Sequence, residues 1–95
     1  MNQAPSIGRI VLVVIEDDGG HIVTRPAVIV RTFEIEAIGP DGPRKGMADY
    51  VNLCVFTDGQ NDGISPKGSC HQWMTSVPYS LEQRPRTWHW PPRSD

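Results

Sequence analysis

Five side chains in this 95-residue chain are suited to metal chemistry: Cys54 and Cys70, with His21, His71 and His89. Thiolate and imidazole are zinc ligands, but small zinc sites declare themselves through close spacings such as Cys-x-x-Cys or His-x₃-His, and none occurs here. The two cysteines fall opposite each other if the strands carrying them pair symmetrically about residues 61–63. That register would allow a close thiol pair or a cross-strand disulfide, and in a reducing compartment the ordinary outcome is two packed thiols.

Oxygen-based chemistry is no better founded. The stretch "DGQNDG" at 58–63 places Asp58, Gln60, Asp62 and Gly63 where a calcium-binding EF-hand loop has its first ligands and its glycine. Its twelfth position is Ser69, where a bidentate Glu is needed, so a turn is the reading. Asp17 and Asp18 are neighbours in an acidic turn. Glu34 and Glu36 sit two apart on one strand face and repel unless a basic residue such as Arg9 or Arg31 lies beside them. None of these sets a base against a nucleophile or opposes two carboxylates across a cleft, so no enzyme, cofactor or metal is expected.

One constellation remains. "RPRTWHWPPR" at 84–93 interleaves Arg84, Arg86 and Arg93 with Trp88, His89 and Trp90. Arginines beside aromatics can stack bases and neutralise phosphates, but the chain carries a net charge of −2 and its only lysines are Lys45 and Lys67. A protein surface suits such a patch better than nucleic acid, with Arg84, Arg86, His89 and Arg93 as the partner-binding candidates. As a strand, the segment sends Trp88 and Trp90 to one face and Thr87 and His89 to the other. Trp73, Trp88 and Trp90 are accordingly expected to be keystones of the fold.

These residues must be held by strands. Nine glycines and nine prolines cluster as punctuation between runs of β-branched and aromatic residues that lack helical spacing. The runs are "IGRIVLVVIE" (7–16), "PAVIVRTFEIEAI" (26–38), "YVNLCVFT" (50–57), "SCHQWMTSV" (69–77) and the short "TWHW" (87–90). The second run changes parity: Val28 and Val30 share one face, Phe33 and Ile35 the other, so a bulge or bend is expected near Arg31 and Thr32. In the third, Val51, Leu53 and Val55 point to one face, the expected core. The third and fourth runs should form a hairpin across "DGQNDG". "GPDGPRKGMAD" (39–49) reads as a loop, whose Arg44 and Lys45 would face Asp17, Asp18 and His21 only if two loops meet. "YSLEQRP" (79–85) has room for a single 3₁₀ turn.

The expected fold is therefore all-β, a small five-stranded SH3-like barrel, with an OB-like or other small Greek-key barrel as the alternative. Residues 1–6 would be an N-terminal arm, 7–90 a single barrel domain and 91–95 a C-terminal tail. The longest aliphatic run, "IVLVVI", is far shorter than the roughly 20 residues of a membrane-spanning helix, and no signal-peptide layout opens the chain, so synthesis in the cytoplasm is expected.

The blocks "GRIVLVV", "PAVIVRTF", "VNLCVFTDGQNDG", "W-TSVPY" (Trp73, Thr75 to Tyr79) and "TWHWPPR" resemble those of a family of small proteins encoded by tailed bacteriophages. The resemblance covers nearly the whole chain, with "TWHWP" its most specific part and Cys54 a departure, since a Gln is usual there. It implies a phage origin, and brings no established activity and no catalytic residues to carry over. A phage protein of this size, rich in β structure and lacking an enzyme constellation, is expected in the virion after synthesis in the host cytoplasm: by analogy with other small phage barrels, a capsid decoration, stabilising or head–tail accessory module that binds phage capsid or tail proteins, self-association being left open. The alternative is a non-virion phage protein that binds a host protein or nucleic acid.

Overall fold

The β-branched first run forms β1 (Ile10–Glu16), which the acidic turn reverses into β2 (Ile22–Arg31). The computed structural model describes residues 4–40, 42–64 and 68–92, and none of these is helical. The remaining strands are β3 (Glu34–Gly39), β4 (Gly42–Met47), β5 (Val51–Phe56), β6 (His71–Val77) and β7 (Thr87–His89). Five of them make an antiparallel sheet in the order β6-β5-β2-β1-β7, and β3 and β4 form a separate two-stranded ribbon. A meander whose last strand returns beside the first is the strand order of an SH3-like barrel. The sheet stays open between its edges β6 and β7, spanned there by one isolated parallel bridge, Tyr79 to Trp88.

Period-two alternation sets the main core, while Val14 and Asn52, on the opposite faces of β1 and β5, are buried as well. Val11, Val13 and Ile15 of β1, Ala27 and Ile29 of β2, Val51, Leu53 and Val55 of β5, and Met74 and Val77 of β6 point inward around Trp88. Each large aliphatic side chain so buried contributes about 1.5–3 kcal/mol. Trp88 is fully enclosed, and its indole Nε1 donates to the Asp49 carbonyl at 2.7 Å. Its backbone amide donates to Pro78 O and its carbonyl accepts from Ser80 N, which draws the chain beyond β6 across the gap towards β7. Trp90 packs edge-on against Trp88 with ring centroids 5.2 Å apart.

The parity change in the second run has a clear cause. An extra residue, Val30, sits between Ile29, opposite Leu53, and Arg31, opposite Asn52. After this bulge the chain leaves the sheet at Thr32, so the run supplies two strands in two sheets rather than one bent strand. The segment read as a loop, 39–49, contains β4. It carries Gly42, Pro43 and Gly46, poor strand formers, and is extended because β3 pairs with it from Glu34–Met47 to Gly39–Gly42.

Three other expectations change. Residues 79–85 hold a bridge at Tyr79, bends at Leu81 and Glu82 and a turn at Pro85, and no 3₁₀ turn. Cys54 pairs with Trp73, not Cys70, because β5 and β6 are joined by a long loop that is not symmetric about 61–63; both thiols are free. Trp73 is 51% exposed and is no part of the core, for its pairing with Cys54 puts it on the outer face of the sheet. In the segment read as an N-terminal arm, Pro5 is buried, and just beyond it the Gly8 amide donates to Ile29 O.

Candidate interaction surface

At one end of the barrel the β1–β2 turn and the β5–β6 loop are locked together. Asp62 is buried and accepts two bonds from Arg25, from Nε at 2.7 Å and Nη2 at 3.1 Å, and a third from the Asp58 amide at 2.7 Å. The pairing raises the Arg25 pKa still further, chiefly through the hydrogen bond to Asp62. Asp58 turns its own carboxylate to the Gln60 amide and the Asn61 side chain, and the latter bond is the main cause of its lowered pKa. Asp17 is likewise held below the ordinary carboxylate range, first by the His21 amide. Asp18 N donates to Asn61 O, so the acidic turn is held to the β5–β6 loop; the side chains of Arg44 and Lys45 lie outside what the structure describes. The two carboxylates that imitated a calcium loop, Asp58 and Asp62, are thus turned to protein donors. Among the described residues no three His, Cys, Asp or Glu side chains converge as metal ligands.

Beside these loops lies an open cleft of about 530 Å³ with Ile15, Ile64 and Met74 among its walls. Glu16, Asp17 and Asp18 line one part of it and Arg86 another. A smaller groove of about 240 Å³ shares Ile64, Met74 and Arg86 and continues along β6 past Trp73. Arg86 reaches this position from a left-handed backbone, φ 65°, a conformation that disfavours a residue with a Cβ by about 1 kcal/mol. Its amide is anchored to Val14 O at 2.8 Å.

The partner-binding candidates are therefore dispersed. Arg84 is exposed and pairs with Glu82 at 3.5 Å, a surface contact of small value. Arg86 lines the cleft. His89 is half-buried and pairs with Leu12, its Nδ1 enclosed with no hydrogen-bond partner among the described residues; Nε1 of Trp90 is in the same condition. Arg93 lies outside the described residues. Trp88 cannot stack on a base, since it is wholly enclosed. Arg9 covers the Trp90 ring at 5.0 Å and Arg31 the Phe33 ring at 4.8 Å, where each gains a cation–π contact.

Sequence reasoning missed the outer face of the sheet. Cross-strand pairing lines up Ile10, Val28, Cys54 and Trp73 across β1, β2, β5 and β6. Leu12 with Pro26, and Phe56 with His71, flank this row. Ile10 is 58% exposed and Phe56 44%, so a mostly apolar strip crosses four strands on the side away from the core. The signal that could have found it is the near-continuous apolar character of "IVLVVI" and "PAVIV", which supplies more apolar residues than one buried face can use.

Compared with known protein families, curated proteins and solved structures, the chain gives no match.

Proposed function

We propose that this protein is a phage-encoded, virion-associated structural accessory, a capsid decoration or head–tail module, that docks on a capsid or tail protein through the outer face of its barrel. The observation that carries the reading is the row Ile10, Val28, Cys54 and Trp73. Contiguous apolar surface of this kind marks a protein contact, and an exposed Trp at its end is the residue type that anchors such contacts. The rigid, loop-locked barrel supports the same role, because a preformed surface loses little conformational entropy on docking. The resemblance to small tailed-phage proteins supplies the phage context.

Mass spectrometry of purified virions tests this directly: the protein sediments with particles, and recovery only from the soluble lysate of infected cells would overturn the reading. Ile10→Asp and Trp73→Asp are expected to abolish particle association. Both positions are exposed, so the melting temperature should change little, within about 0.5 kcal/mol of stability.

A further inference from the structure

The free edge of β6 lies along the smaller groove, and its hydrogen-bonding parity can be read from one bond. Thr57 N donates to Cys70 O at 2.9 Å, which makes Thr57 and Cys70 a hydrogen-bonded pair of the β5–β6 ladder. Antiparallel ladders alternate, so Val55–Gln72 and Leu53–Met74 are bonded pairs, while Phe56–His71 and Cys54–Trp73 are not. His71 and Trp73 therefore turn their N–H groups away from β5, into the opening between β6 and β7. Among the described residues their carbonyls accept from local side-chain donors, Ser69 Oγ at 3.2 Å and Gln72 Nε2 at 3.1 Å.

Proteins usually blunt such an edge with charge, proline or brevity. β7 follows that rule, being three residues long and followed by Pro91 and Pro92. β6 does not: it runs seven residues, "HQWMTSV", with no proline, Lys, Arg, Asp or Glu. Across the opening stands Arg86, which forms no ion pair among the described residues. The adjoining cleft is also lined by Glu16, Asp17 and Asp18.

We infer that the β6 edge and this groove take up an extended segment of a partner protein by strand addition. The segment bonds to His71 N–H and Trp73 N–H, sets an apolar side chain on Ile64 and Met74, and places a carboxylate at Arg86. A basic residue further along it would meet Glu16 and Asp18. This deepens the binding-module reading and rests on it, since it specifies how a partner is held beside the Trp73 end of the apolar row. Main-chain bonds supply affinity in this mode and alternate side chains supply selectivity.

The test uses the full chain and the acetylated heptapeptide Lys-Thr-Val-Thr-Glu-Thr-Val, whose Lys, Val and Glu side chains share one face of the strand, followed by amide hydrogen exchange and chemical shifts. Binding should slow exchange of the His71 and Trp73 amides by at least about tenfold and leave Gln72 and Met74 unchanged. N-methylation of the peptide at alternate residues, in one of the two phases, should weaken binding at least about tenfold, and the other phase should not. Arg86→Gly relieves the left-handed backbone, so it keeps the fold while weakening the Glu-containing peptide and not its Gln counterpart. Equal binding by both N-methylated phases, unchanged exchange at His71 and Trp73, or no binding at millimolar peptide would each overturn the inference. Particle association sensitive to Ile10→Asp would survive those outcomes, so the two readings fail separately.

Discussion

Removing the Asp62 carboxylate would strand Arg25 Nε, Arg25 Nη2 and the Asp58 amide together. Its side chain is wholly enclosed whereas that of Arg25 is about a quarter exposed, so the guanidinium retains some hydration when its partner is lost. Asp62→Ala is accordingly expected to cost about 2–4 kcal/mol in urea denaturation, below the upper end for a fully buried pair. Acid acts on the two carboxylates nearby. Asp17 and Asp58 have folded pKa values below their unfolded ones, chiefly through the His21 amide and the Asn61 side chain respectively. A group of that sign stabilises the fold above its unfolded pKa of about 3.9, and the contribution disappears as pH falls through the folded value. Thermal melts should therefore be insensitive to these groups near neutrality and decline below about pH 4, less steeply in an Asp17→Asn, Asp58→Asn double variant. Of the residues singled out from sequence, these aspartates were legible as turn formers. Their engagement with Arg25 was not, because Arg25 and Asp62 lie far apart in sequence and meet only when β2 and the β5–β6 loop share one end of the barrel.

At the scale of elements, β5 could be read directly: Val51, Leu53 and Val55 alternate with Asn52 and Cys54, and all three are fully buried. Alternation is a local property of an extended chain, so it survives translation from sequence. Register is not local. The position of β6 against β5 is set by a long loop and by the irregularity at Thr75 and Ser76, where Ser76 adopts φ 51° and its amide donates to Asn52 Oδ1 at 2.8 Å. That register brings Trp73, rather than Cys70, opposite Cys54 and sends the indole to the outer face. The same register makes a measurable statement about free protein: amides of Gln72 and Met74 should exchange slowly and those of His71 and Trp73 fast. Uniform protection along β6 would show the pairing to be different. Ser76→Gly should raise stability by up to about 1 kcal/mol, because glycine meets no Cβ penalty at positive φ.

For the whole molecule, closure depends on Trp88. Its side chain fills the centre of the core, its indole reaches Asp49 O, and its backbone meets Pro78 and Ser80 across the open side of the sheet. Trp88→Ala should cost about 3–5 kcal/mol, a large share of the stability of a chain this small, and would leave it largely unfolded near 37 °C by circular dichroism. The same substitution at Trp90, which is only partly buried and whose Nε1 has no partner among the described residues, should cost clearly less. From sequence alone came the all-β class, the five barrel strands, an irregularity near Arg31 and Thr32 and the pairing of Trp88 with Trp90, because strand propensity, side-chain alternation and Gly/Pro punctuation act within a few residues. The tertiary structure alone decided that β3 and β4 leave the sheet as a ribbon, that Trp73 stands outside the core, and that Ile10, Val28, Cys54 and Trp73 line up. Each of these depends on which residue faces which across strands distant in sequence, and that is settled only when burial of the common core selects one register.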